Sequence, residues 1–381
     1  MAKKPAIFAM LLFLLAAGLG AVSFQPQPAA NPGAIAAIGH MTIPRFFHTA
    51  TLLKNNKVLI AGGMQRNGMF EGTAEIYDPA TRSVTAAGKL QSVRGWGTTA
   101  TLLPNGKVLI TGGGVGASSH LSTAELYDPA TGKFTATGNM AHPRAGGAAV
   151  LLRTGKVLVM GGYQSSDVNP NASAEIYDPA TSAFSRTGDM HVSRSMFAAV
   201  LLNDGKVLVV GGASAGQYPD TRVEASAEIY DPATGRFSTT GQMSVPRYKV
   251  AATLLLDGRV MVIGGADRRD ARGAYNTTEI YDPKTGSFAS GPAMHFKRYK
   301  LPAGVITLDN GMVLVAGGAE QPEVYDPSFG SFLNTAGAEL KGFYFSSTSK
   351  LANGKVLILG GYGRRQSDGA VDQALEYQPG K

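Results

Sequence analysis

The 381-residue chain contains no cysteine. That excludes disulfides, thiolate metal sites and cysteine nucleophiles. Charge is also sparse, with Asp, Glu, Lys and Arg making up 16% of residues against 44% apolar. Such a balance fits a packed body rather than a disordered chain. The formal net charge is +8, yet no dense basic run exists, so nucleic acid is not an expected partner. The six histidines, His40, His48, His120, His142, His191 and His295, show neither His-x-His nor His-Glu-x-x-His spacing. No metal and no cofactor is therefore expected. Tryptophan occurs once, at Trp96.

What is abundant is glycine, 49 residues, and repetition. Gly-Gly pairs begin at Gly62, Gly112, Gly161, Gly211, Gly264, Gly317 and Gly360, with gaps of 50, 49, 50, 53, 53 and 43. A tyrosine follows each pair, at Tyr77, Tyr127, Tyr177, Tyr230, Tyr281, Tyr325 and Tyr377. Both series count seven units of one period. The run before each pair, such as KVLIAGG, is β-branched and apolar, which predicts a strand buried on both faces. Another apolar run precedes it, and Asn-Gly or Asp-Gly joins the two at 105–106, 204–205, 257–258, 310–311 and 353–354. These dipeptides predict two-residue hairpins. AEIYD and its relatives form a third strand, and DPATG turns the chain into a fourth. Each unit reads as a four-stranded antiparallel sheet.

The Gly-Gly pair, the Tyr-Asp-Pro, the fourth-strand aromatic and the Pro-Arg before the next unit resemble the kelch-repeat family from about residue 34 onward. One departure is Phe134, Phe184, Phe237, Phe288 and Phe332 where that family usually has Trp, with Val84 in the first unit. The resemblance implies an all-β, seven-bladed β-propeller over residues 34–381. The last unit ends after its third strand, and residues 35–41 have the spacing of a fourth. The N-terminal segment is therefore expected to complete the last blade and leave no open sheet edge. Residues 1–23 read as a signal peptide: Lys3 and Lys4, an apolar run, then small residues at 21–23. An uncleaved membrane anchor is the competing reading. Residues 24–33 read as a Pro-rich spacer, and the mature chain as an exported monomer without a membrane attachment.

In AEIYDP the glutamate and tyrosine share a face, so a glutamate should be buried. Six units carry it, at Glu75, Glu125, Glu175, Glu228, Glu279 and Glu323. The same six carry an arginine before their first strand, at Arg45, Arg94, Arg144, Arg194, Arg247 and Arg298. The seventh has Leu375 and no aligned arginine. Structural Arg–Glu pairs follow, although which blades supply the partners stays open.

For a ligand, two regions qualify. Around the arginines stand aromatics and cations, among them Phe46, Phe47, Trp96, Tyr248, Lys249, Tyr299 and Lys300. They suit sugars, acidic sugars or acidic peptides, or else they plug the channel. The loops after Gly-Gly vary most in length, and binding favours variable loops on a rigid frame. There Arg268, Arg269, Arg364 and Arg365 could converge on an anion, unless Asp267, Asp270 and Asp368 balance them. The ligand-binding candidates are thus Phe46, Trp96, Tyr248, Tyr299 and these four arginines. Copper radical oxidases of kelch type use a tyrosine crosslinked to cysteine, which this chain cannot form. The expected function is binding or scaffolding, of a carbohydrate or an extracellular protein. A sugar-active enzyme of the mutarotase kind is the alternative, with no catalytic residue assigned.

Overall fold

The computed structural model describes residues 31–116, 119–165, 168–216, 220–301, 303–363 and 369–380. Residues 1–30, where a signal peptide and most of a spacer are expected, and Arg364, Arg365 and Asp368 lie outside the described residues.

Six four-stranded antiparallel sheets and a seventh of five strands, in which the outermost pair is parallel (Ala34 opposite Ala336), are arranged as the blades of a β-propeller. Blade 1 comprises Thr49–Leu52, Val58–Ala61, Thr73–Asp78 and Ser83–Lys89, from the central channel outward. Blades 2 to 6 repeat the plan over residues 99–136, 148–186, 198–239, 251–290 and 305–334. Blade 7 takes its three inner strands, Ser347–Lys350, Val356–Leu359 and Gln373–Gln378, from the C-terminus. Its next strand is Ala34–His40, antiparallel to Gln373–Gln378 with Ile35 opposite Tyr377.

The second strand of every blade is buried along its whole length, because neighbouring blades cover both of its faces. The core is accordingly a series of seams between blades. Leu59 and Ala61 of blade 1 pack with Val108 and Ile110 of blade 2, and Val58 and Ile60 pack with Leu357 and Leu359 of blade 7. Each buried aliphatic side chain is worth ~1.5–3 kcal/mol relative to exposure, and the seams repeat that gain around the ring.

The inner hairpins differ from the two-residue loops expected. Leu103 N–H donates to Lys107 C=O, and Gly106 N–H to Leu103 C=O, so three residues form the loop. The glycine supplies the positive φ (86°) that closes it. Asn105 does not adopt positive φ; its Oδ1 instead accepts from Lys107 N–H at 3.1 Å. Asp204, Asp257, Asn310 and Asn353 do the same. Sequence patterning placed the turns correctly and mistook the reason for the Asn and Asp.

The Gly-Gly pairs lock successive blades together. Gly112 has φ 62°, and a Cβ there would lie 2.3 Å from the Arg144 carbonyl oxygen of blade 3. The adjacent Gly113 N–H donates to that same oxygen at 2.8 Å. Only glycine permits this approach.

Candidate functional site

The six arginines are almost completely buried and each pairs with the glutamate of its own blade. The N···O distances run from 2.7 Å (Arg298–Glu323) to 3.2 Å (Arg247–Glu279). Each guanidinium also donates to the first carbonyl of its Gly-Gly pair, as Arg94 does to Gly112 O at 2.8 Å. These cations are consumed by the frame and do not face a ligand. In blade 7 Leu375 occupies the glutamate position in an apolar seam.

Two residues beyond the arginine, or three in blade 2, the chain reaches the propeller axis, and Phe345 takes the equivalent place in blade 7. There Phe47, Met196, Lys249, Lys300 and Phe345 have φ between 51° and 59°, and Gly97 and Gly146 have 72° and 68°. Main-chain hydrogen bonds link them blade to blade: Phe345 N–H to Lys300 O at 2.9 Å, Lys300 to Lys249 at 3.2 Å, Lys249 to Met196 at 2.8 Å. Met196 N–H continues to Gly146 O, Gly146 to Gly97, and Phe47 to Phe345. The crowding is severe, since a Cβ on Gly97 would lie 1.9 Å from Gly146 N. Five non-glycine residues nevertheless hold the left-handed conformation, at a cost of ~1–3 kcal/mol each where it is sparsely populated.

This belt separates two cavities. On the channel side lies a space of about 290 Å³ lined by hydroxyls, among them Thr49, Thr98, Ser347 and Thr348. His48 also lines it, buried, with Nε2 2.7 Å from Ser347 Oγ. On the loop side lies a cup of about 360 Å³, walled by Phe46, Phe47, Met64, Trp96, Tyr163, Met196, Tyr248, Phe345 and Tyr362. Lys249 and Lys300 also face it. Phe47 and Phe345 stack with centroids 3.9 Å apart, and Trp96 meets Tyr163 edge-on at 5.9 Å.

The charges of the cup are few and specific. Asp270, from the long loop of blade 5, accepts from Lys249 Nζ and Tyr248 Oη, both at 2.7 Å. Burial alone would raise the Asp270 carboxyl, but Lys249, Tyr248 and Lys300 together outweigh it and the group ends below its ordinary value. Burial lowers the Lys249 ammonium against the pull of Asp270. Lys300 Nζ lies 2.8 Å from Tyr362 Oη and 5.0 to 6.0 Å from the rings of Tyr299, Tyr344, Phe345 and Tyr362. Burial, with the Lys249 charge beside it, lowers Lys300 to about 8. Burial raises the hydroxyls of Tyr248, Tyr299 and Tyr362, which stay protonated.

Phe46, Trp96 and Tyr248 line the cup, and Tyr299 stands behind Lys300. Arg268 and Arg269 are exposed on the rim of blade 5, and Arg269 is held by Asp267 at 2.6 Å. Asp270 does not balance these arginines; it turns inward to Lys249. Tyr362, Phe345, Met196 and Asp270 were not among the sequence candidates. For Tyr362 a signal existed: it directly follows Gly-Gly, as Tyr163 does, and that position bridges the residues after the arginine. One Gly-x-Ser-x-Gly pentad, residues 212–216, also passes the pattern of a nucleophile elbow. It lies in a small β-ladder, and Ser214 Oγ donates to Glu224 Oε1 at 2.5 Å, so it lacks the strand-to-helix turn such an elbow needs. A larger hollow of about 740 Å³ opens over the short loop of blade 6, but mixed charges (Lys297, Glu320, Glu339) line it.

The kelch motif matches residues 99–141 and 144–191, which are blades 2 and 3 with their leading turns. The same unit recurs in all seven blades. This chain is a kelch-repeat propeller. No curated relative matches it. A fungal alcohol oxidase of the AA5 family, solved in complex with copper, shares the fold with TM-score 0.71 at 17% identity. The match covers 92% of this chain and 77% of the oxidase, and at that identity it shows the fold alone. The donor set here does not fit such a copper. The kelch propeller has no cysteine, and among the described residues no three His, Cys, Asp or Glu side chains are grouped to hold a metal ion. The kelch repeats and the propeller fold suggest a binding or scaffold role.

Proposed function

We propose that this kelch propeller is an exported binding protein that takes an acidic carbohydrate in the loop-side cup. The observation that supports it is two ammoniums, Lys249 and Lys300, facing one aromatic-walled cup, with a single carboxylate, Asp270, paired to Lys249. One net positive charge is left facing the cavity, so a ligand carboxylate gains a charge-assisted contact. The faces of Trp96 and Phe47 suit the apolar side of a sugar ring. A volume near 360 Å³ lies within the ordinary range of small-ligand sites. The strained belt supports the same reading, because left-handed non-glycine residues cluster where a rigid binding surface needs them.

Isothermal titration with glucuronate and galacturonate, against glucose and galactose, tests it. The acids should bind at least tenfold tighter, and the difference should shrink in salt. Lys249→Met should abolish the preference. Equal binding of neutral and acidic sugars overturns the acidic reading. No sugar binding, with retention of an acidic extracellular protein, moves the reading to a protein partner. Export rests on the N-terminal pattern, and Phe24 as the first residue of the secreted protein is the expected sequencing result.

A further inference from the structure

We propose that Lys300 is a nucleophilic amine that captures a small aldehyde or ketone as an imine, with the Tyr362 hydroxyl relaying protons. The inference rests on the cup being the ligand site, and adds a chemistry to it.

The two lysines of the cup are not equivalent. Lys249 is tied to a carboxylate at 2.7 Å, which favours its charged form. Lys300 has no carboxylate within ion-pair distance among the described residues. Its hydrogen bond is to a phenol, at 2.8 Å, which can accept from an ammonium or donate to an amine. Four aromatic rings surround it, and a second ammonium stands nearby. Desolvation beside a like charge is the arrangement that frees an amine near neutral pH. The belt fixes the position, because Lys300 itself has φ 59° and its main chain is bonded on both sides. Its ammonium is lowered to about 8, so near neutral pH a usable fraction is free base. Tyr362 is raised by burial and remains a proton donor.

The step balances without an oxidant. The Lys300 lone pair attacks the carbonyl carbon, and the π pair moves to oxygen. That oxygen takes a proton while the nitrogen gives one up, both through the Tyr362 hydroxyl, leaving a carbinolamine. Its hydroxyl takes a second proton from Tyr362 and leaves as water. The nitrogen lone pair closes the C=N bond, and the proton lost from nitrogen restores the phenol. One amine and one carbonyl give one imine and one water.

The test is reductive trapping of the full protein with glyoxylate and cyanoborohydride, followed by peptide mapping. Lys300 should be labelled at least tenfold faster than the mean of the other lysines, with half-maximal rate near pH 8. Tyr362→Phe should slow labelling at Lys300 and leave that residue the preferred position. Lys300→Arg lacks the nucleophilic amine, so it should lose the fast label while unfolding in urea as cooperatively as the wild type. Uniform labelling, preferential labelling of Lys249, or a Lys300 rate still rising past pH 10 overturns the proposal. Loss of uronate binding in the wild type with labelling intact would instead remove the acidic-sugar reading alone.

Discussion

The Tyr177 hydroxyl lies 2.8 Å from Thr137 Oγ1, across the boundary between blades 3 and 2. Tyr230 and Tyr281 make the same contact to Thr187 and Thr240 of the preceding blades. The repeated tyrosine therefore ties neighbouring blades besides filling its own. At the join between blades 7 and 1 the pattern lapses, and the buried Tyr77 hydroxyl has no hydrogen-bond partner among the described residues.

Tyr177→Phe should lose about 1 kcal/mol of stability, the net worth of one hydrogen bond. Tyr77→Phe should be neutral or slightly stabilising, because it removes a buried unpaired hydroxyl. Urea unfolding of the two variants, side by side, checks the contrast. Equal losses would show that ring packing and not the hydroxyl carries the effect.

Glu175→Ala would leave the Arg144 guanidinium, 2% exposed, without its carboxylate. A loss of ~3–5 kcal/mol is expected, visible as a large drop in Tm. The double change Arg144→Met with Glu175→Leu should recover much of it, since blade 7 packs with Leu375 at that position. A single variant with unchanged Tm would remove the pair from the frame.

Ser182 has φ 54° in the outer turn where Gly132, Gly235, Gly286 and Gly330 stand in other blades. Its side chain is exposed, so glycine costs little there. Ser182→Gly should stabilise by ~1 kcal/mol through relief of left-handed strain. Ser182→Val should destabilise in the same assay.

His48 is buried beside Arg45, and its pKa falls from 6.5 to about 3, first through burial and then through that positive charge. Between those values the unfolded chain binds a proton that the folded one excludes. Stability is therefore full above about pH 6.5 and falls as the pH drops towards 3. This one residue contributes a slope of up to ~1.4 kcal/mol per pH unit in that window. His48→Gln should flatten the Tm-versus-pH curve between pH 4 and 6. An unaltered curve would assign the acid sensitivity elsewhere.

Much of the frame was legible because each blade solves one packing problem with one set of residues. The shared absence of glutamate and arginine from the seventh unit pointed to their pairing, and each pair lies within a blade. The hairpin loops were located but misread, because Asn105 stabilises its turn through a side-chain acceptor that no dipeptide rule reveals. The site was legible only in part. Trp96, Phe46 and Tyr248 stood out as aromatics beside arginines. Asp270 did not, because its loop also holds Arg268, Arg269 and Arg272, and charge counting cannot tell which partner a carboxylate faces.

The period near 50 residues, read from the sequence alone, determined the repeated sheet, its buried second strand and the buried charge pairs, since these depend on contacts within a unit and between identical neighbours. Only the closed ring decided that Lys249, Lys300, Tyr362 and Asp270 share a cup. They come from blades 5, 6 and 7, and no spacing within a unit says which side chains reach the axis. Circular closure brings one position of every blade to the same centre, and the crowding there turns the chain left-handed and aims its side chains at a common cavity.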